Sequence, residues 1–311
     1  MDRKVEYNSS KLVKRLISLS PDCAASKVDA GIFKFQTSGK GHDYAELYAR
    51  LESLPTSMEP ALQPGESHTR LTYNRAAVDM FDKAMMDAIY TLWLERPDKS
   101  KDECEMSYIS IYGKICGRDM ICVSEIMKNR LKESLRKLQH IEATLVVAND
   151  NPRVLEYFAK NTLAKEYTLK STLIKCEEYS TLLPNKERIY GINLLKCPIL
   201  YRYAEAQRQL RGIEFDWLNI GGNMSLKKLG VRDMLIGYIT GLSRKNKDDD
   251  FSYVIKYSTI MQGAGFKWPE DRKLQYKDRK LIDSILDIYK ERGKIAGYEV
   301  LPDKSGVGIT L

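Results

Sequence analysis

Apolar residues in this chain follow one plan twice, and few folds accommodate that. In the first pass Phe81, Met85, Ala88, Ile89 and Leu92 recur at helical spacing, and Pro97 with its polar neighbours ends the segment. A short apolar piece, Ile109 to Ile115, reads as a second helix. Ser124 then offers an N-cap to a third, whose stripe is Met127, Leu131, Ser134, Leu135 and Leu138. β-Rich runs follow around Ala143 to Val147, Thr168 to Ile174 and Arg188 to Leu195, and Pro184, Asn185 and Lys186 are expected to turn the last two into a hairpin.

The pattern restarts after Pro198 with Ile199 to Leu210. Ser225 can cap a helix whose Met234, Leu235, Tyr238, Ile239 and Leu242 share a face, and the charged run Lys245 to Asp250 ends it. Tyr253 to Met261 reads as a shorter helix. A long helix follows with Leu274, Leu281, Ile282, Ile285, Leu286 and Tyr289 on one side, stopped by Gly293. Ile295 to Leu301 and Val307 to Leu311 are expected strands around a polar tip, Pro302 to Gly306. Helices followed by a hairpin is the order of a winged helix. The expectation is therefore an α+β protein with two winged-helix (helix-turn-helix) domains in tandem, 76–197 and 198–311. An N-terminal extension, 1–75, precedes them, with a helix over Leu12 to Leu19, a strand at Ile32 to Phe35 and turns at Ser38 to Gly41 and Pro60 to Gly65.

Several chemistries are poorly supplied. The three histidines, His42, His68 and His140, are too scattered for a His-rich metal centre. Six cysteines without a CxxC pair suggest a reduced, cytoplasmic protein, and no apolar run approaches membrane-spanning length. Gly39 and Lys40 lack the flanking Gly and Ser or Thr of a phosphate loop. Asn219 to Asn223 reads as a turn without dinucleotide-binding spacing. Tyr190, Tyr201 and Tyr203 are conceivable strand-transfer nucleophiles with no base nearby in sequence, and packing is the expected role. No catalytic residue, metal or cofactor is expected, and the chain is not expected to be an enzyme.

Charge points elsewhere. Lys plus Arg exceed Asp plus Glu by 50 to 42, which favours an acidic partner such as nucleic acid. In a helix-turn-helix the recognition helix turns its polar face to the major groove. On the first long helix that face shows Asn129, Lys132 and Arg136, flanked by Lys128, Arg130 and Lys137, with Glu125 and Glu133 dissenting. Lysine and arginine neutralise phosphates, and Asn129 suits an adenine edge. The alternative is a solvated face with ion pairs such as Glu133 with Arg136 or Lys137. On the second, Lys273, Tyr276, Lys280 and Ser284 lie opposite the apolar stripe, with Lys277 and Arg279 on its shoulders. Asp278 would point inward; as an N-cap instead, it would leave Arg279, Lys280 and Ser284 to carry the contact. Lys304 at the hairpin tip completes the candidate surface.

The stretches MMDAIYTLW (Met85 to Trp93), Ile111 to Gly117 with the helix to Leu138, KCPILYRYAEAQRQ (Lys196 to Gln209) and ILDIYKERGKIAGY (Ile285 to Tyr298) resemble replication-associated proteins of plasmids, phages and conjugative elements in Firmicutes. The resemblance covers about residues 80–311. The tandem layout is similar to iteron-binding plasmid replication initiators, whose two winged helices bind repeated origin DNA, the N-terminal one also serving dimerisation. The resemblance implies a double-stranded DNA-binding initiator, a homodimer, and a host helicase or helicase loader as partner. It also implies a recognition helix from Lys273 to Lys290, with Lys128, Lys132 and Arg136 acting likewise in the first domain. The rival readings are a repressor on the same scaffold, a DNA nuclease or strand-transfer enzyme, and a purely structural protein.

Overall fold

The computed structural model describes residues 3–8, 13, 26–29, 32–36, 45–50, 78–119, 122–148, 152–159, 166–186, 188–222, 224–242 and 253–311. The architecture is α+β, and the strand pairings among the described residues are antiparallel. Among the described residues four short strands come first: β1 (Lys4–Asn8), β2 (Ser26–Asp29), β3 (Ile32–Gln36) and β4 (Ala45–Arg50). The strand expected at Ile32 to Phe35 is thus present as β3. The expected turns at 38–41 and 60–65, and the helix over 12–19 apart from Val13, lie outside the described residues.

The first unit opens with α1 (Met80–Leu94), whose start is fixed by a reciprocal cap: the Asp79 side chain accepts from Asp82 N and the Asp82 side chain from Asp79 N. Next come β5 (Cys104–Ser107), α2 (Tyr108–Cys116), and α3 (Glu125–His140) capped by Ser124. Gly117 closes α2 in the left-handed region, at φ 63°. An excursion of β6 (Glu142–Ala148), α4 (Pro152–Ala159) and β7 (Glu166–Thr172) precedes the hairpin β8 (Cys176–Leu182) and β9 (Arg188–Leu194).

The hairpin partner of β9 is not the one expected from the sequence. The run 168–174 does not pair with 188–194; it forms β7 beside β6, in a sheet ordered β2-β3-β4-β6-β7. The strand across from β9 is β8, which buries only Cys176 and shows no apolar alternation to read. The resulting small sheet is ordered β5-β9-β8.

A bridge of α5 (Ile199–Ala206), β10 (Leu210–Glu214) and α6 (Phe215–Leu218) leads to the second unit. That unit holds α7 (Leu226–Leu242), β11 (Tyr253–Lys256), α8 (Tyr257–Gly263), α9 (Arg272–Glu291), β12 (Gly297–Val300) and β13 (Gly306–Thr310). Its sheet is ordered β11-β13-β12. The segment expected as one helix over 253–261 is a four-residue strand followed by a helix, because Tyr253 to Lys256 pairs with β13.

Among the described residues both units run helix, strand, helix, helix, hairpin, with the β6–α4–β7 excursion ahead of the hairpin in the first, and in both three-stranded sheets the last strand lies between the other two. The repetition reaches single residues. Tyr108 and Tyr257 each begin the helix that follows the first strand, and both are buried. Gly191 and Gly306 face the last residue of that strand, Ser107 and Lys256 respectively. A Cβ on either glycine would meet a carbonyl oxygen, that of Met106 or of Ile255, so the strands approach each other only with glycine there.

A continuous core joins the units, and buried polar groups fix their junction. Strand β1 pairs with β10, while Asn8 N donates to Asp87 of α1 at 3.0 Å and Asn8 Nδ2 to the Leu200 carbonyl of α5 at 3.2 Å. Asp87 also receives Lys83 Nζ at 2.6 Å and the Tyr201 hydroxyl at 2.5 Å. The buried Arg232 of α7 pairs with Asp233 at 2.9 Å and donates through Nη1 to the carbonyls of Ile115 and Leu218, at 2.7 and 3.3 Å. One guanidinium thus satisfies carbonyl groups at the ends of α2 and α6, tying the first unit to the second.

Candidate nucleic-acid interface

Asp271 caps α9, accepting from Lys273 N at 2.8 Å and Leu274 N at 2.9 Å. The alternative in which Asp278 begins the helix is thereby excluded. Asp278 lies in the second turn, buried, with its Oδ1 accepting from Lys227 Nζ of α7 at 2.8 Å. Lys273, Tyr276, Lys277, Lys280 and Ser284 consequently all sit on the helix and are exposed, opposite buried Ile282, Ile285, Leu286 and Tyr289. Lys273, Lys277 and Lys280 have no ion-pair partner among the described residues. The Lys280 ammonium lies 4.8 Å from the Tyr276 ring centre, and the Ser284 hydroxyl donates back to the Leu281 carbonyl at 2.7 Å.

Arg279 differs from its neighbours. It is half-buried, and its Nη1 donates to the main-chain carbonyl of Lys304 at 3.3 Å, while its Nε is buried without a hydrogen-bond partner among the described residues. Lys304 occupies the tip of the β12–β13 hairpin in the left-handed region, at φ 56°, with its side chain exposed. The tip is thus fastened to the helix. Two further tethers lie along α9: the Tyr257 hydroxyl donates to Asp283 and the Tyr298 hydroxyl to Asp287, each at 2.7 Å. Burial raises the Asp283 carboxyl above its ordinary value, against the opposing hydrogen bond from Tyr257. Asp283 and Asp287 are therefore partners of α8 and of the hairpin, and Asp278, the one carboxylate in the basic N-terminal half of the helix, is buried against Lys227.

The first unit uses its charges differently. Arg130 and Lys137, grouped with the outward face in sequence, turn inward. Arg130 pairs with Asp79, and Lys137 with Asp82 and Asp79 at 2.5 and 3.5 Å. Ser134 donates to Asp82 at 2.6 Å, so α3 is locked to the start of α1. Glu133 pairs with Arg130 at 3.2 Å, in place of the expected Arg136 or Lys137. Lys128 pairs with Glu125 at 2.6 Å, Lys132 sits 4.4 Å from the Tyr190 ring centre on β9, and Arg136 lies 3.8 Å from Glu178 on β8. Asn129 is exposed on the outward face, and beside it Ile126 is 83% exposed. Ile126 is not legible as a surface residue of interest in the sequence, because an apolar residue off the stripe carries no periodic signal.

The two helices can be placed in register. Buried Leu131, Ser134, Leu135 and Leu138 fall at the same spacing as buried Ile282, Ile285, Leu286 and Tyr289. This puts Ile126 in the place of Lys277 and Asn129 in the place of Lys280.

No protein-family model matches the chain, and no curated protein sequence matches it. Among solved structures, a crystal structure of domains 2 and 3 of RctB aligns over 92% of this chain and 92% of its own, with 12% identity and a TM-score of 0.42. A second RctB structure of domains 2–3 aligns over 91% and 83%, with 10% identity and a TM-score of 0.42. At that distance the likeness says nothing of what this chain binds.

Among the described residues no group of three or more His, Cys, Asp or Glu is placed to hold a metal ion, and no helix is long and apolar enough to cross a membrane. Tyr201 and Tyr203 are buried, and burial together with Asp87 raises the Tyr201 hydroxyl well above its ordinary value. Gly39 and Lys40 lie outside the described residues. The turn from Asn219 is held by Lys228, whose ammonium donates to the Gly221 carbonyl at 2.6 Å.

Proposed function

We propose that each unit is a winged helix and that the chain binds duplex DNA without catalysing its cleavage, as the replication initiator of a plasmid or other mobile element. The observation that carries DNA binding is the exposed N-terminal half of α9. There Lys273, Lys277 and Lys280 share one face without a carboxylate partner among the described residues, beside the tethered hairpin lysine Lys304. Ammonium groups so placed neutralise phosphates, and the helix they stand on follows a shorter helix, as a recognition helix does. The fold class supports the reading too, since the strand order first-third-second with a terminal hairpin recurs in both units.

The initiator role rests on the duplicated layout and on the resemblance described from the sequence. A homodimer, a helicase or loader partner and a cytoplasmic location belong to the same reading. Binding should weaken steeply with salt, and the exposed pair Lys277→Glu and Lys280→Glu should abolish it without lowering the melting temperature. Selection from random duplexes then separates roles. Direct repeats support an initiator, a palindrome a repressor, and absence of any salt-dependent binding refutes the proposal.

A further inference from the structure

The two equivalent helix faces are not chemically equivalent. In α9 the register positions hold Lys277 and Lys280; in α3 they hold Ile126 and Asn129. Of the cations near the α3 face, Lys128 pairs with Glu125 and Arg136 lies 3.8 Å from Glu178, while Lys132 rests against the Tyr190 ring. Glu125 and Glu133 remain exposed there. Such a face gains little from phosphates. What it offers outward is an isoleucine that water surrounds on most sides and, one helical turn further on, a carboxamide with no hydrogen-bond partner among the described residues.

Those two groups match one base pair. A carboxamide accepts from adenine N6 and donates to N7, and an apolar side chain packs on the thymine methyl. Side chains three apart on a helix stand about 5–6 Å from each other at Cβ, close enough to read the same or adjacent pairs. Resting on the DNA-binding reading above, we infer that the two units divide the work: α9 anchors the phosphate backbone, and Ile126 with Asn129 on α3 reads an A·T pair in the major groove. Affinity and sequence preference are then separable by mutation.

The test uses the full chain, a duplex selected by the wild-type protein, and a scrambled duplex of equal length and composition. Ile126→Ala with Asn129→Ala changes two exposed helix positions, and thermal melting verifies the fold. The ratio of affinities for selected over scrambled DNA should fall about 10- to 100-fold, with the salt slope unchanged. Lys277→Ala with Lys280→Ala should lower the slope by about 1.8 and weaken both duplexes alike, leaving the ratio intact. Asn129→Asp, which loses the donor, should behave as Asn129→Ala toward the selected site. An unchanged ratio in the Ile126/Asn129 variant, or a selected site with no A·T pair whose preference that variant removes, overturns the inference while DNA binding stands. Wild-type protein that binds neither duplex overturns the DNA-binding reading and this inference with it.

Discussion

The hydrogen bond from Arg279 to the Lys304 carbonyl makes a quantitative demand on the proposed DNA binding. Four ammonium groups, those of Lys273, Lys277, Lys280 and Lys304, stand exposed on or beside α9 with no carboxylate partner among the described residues. In the proposed complex with duplex DNA, at a slope of roughly 0.9 per neutralised phosphate, they would contribute about 3.6 to the fall of log K with log salt. Lys304→Ala should lower that by about 0.9, which at 0.15 M salt weakens binding about fivefold. Arg279→Gln leaves Lys304 in place but releases the hairpin tip, so it should cost the same increment. Combining the two should cost no more than either alone. Fluorescence anisotropy of a labelled duplex across a salt series reads the slopes directly, and thermal melting checks that loss of one partly exposed hydrogen bond costs the fold only about 1 kcal/mol. A combined loss near 1.8 would mean that Arg279 touches a phosphate itself, as the sequence suggested. No loss in Arg279→Gln would mean that the tether does not position the lysine.

Three other expectations concern the scaffold. Arg232→Met leaves Asp233 buried without its cation and should destabilise the protein by about 3–5 kcal/mol, read by denaturant titration; a loss under about 1 kcal/mol would show that the junction does not depend on this pair. Gly306→Ala should separate β11 from β13 and cost on the order of 1–3 kcal/mol. Gly237→Ala, in a helix with open space at its Cβ, should stabilise by up to about 1 kcal/mol, and the opposite order in melting temperature would refute the packing argument. For pH, burial raises the Asp79 carboxyl, but Lys137 and Arg130 outweigh it and hold it below its ordinary value. A depressed carboxyl stabilises the fold above its unfolded pKa of about 3.9, and that contribution fades as pH falls through the folded value. Asp79→Asn, which keeps an N-cap, should therefore melt below wild type at pH 6, and the gap should close below about pH 4; a gap independent of pH would contradict this.

Sequence alone determined what depends on neighbours along the chain. Helical stripes and their caps follow from contacts three and four residues apart, which is why α1, α3, α7 and α9 and the duplicated order were legible. The outward face of α9 was legible for the same reason, since rotation per residue decides which side chains oppose Ile282 and Ile285. Tertiary structure decided the rest. Strand β8 was hidden because its pairing to β9 is made by the main chain while its side chains are mostly polar. The fate of each charge was hidden because its partner is distant: Asp79 claims Arg130, Lys227 claims Asp278, and a hairpin carbonyl claims Arg279. A charge in sequence shows only that a group can form an ion pair. Which of these groups turn inward, and which stay exposed, depends on the partners that folding brings within about 4 Å.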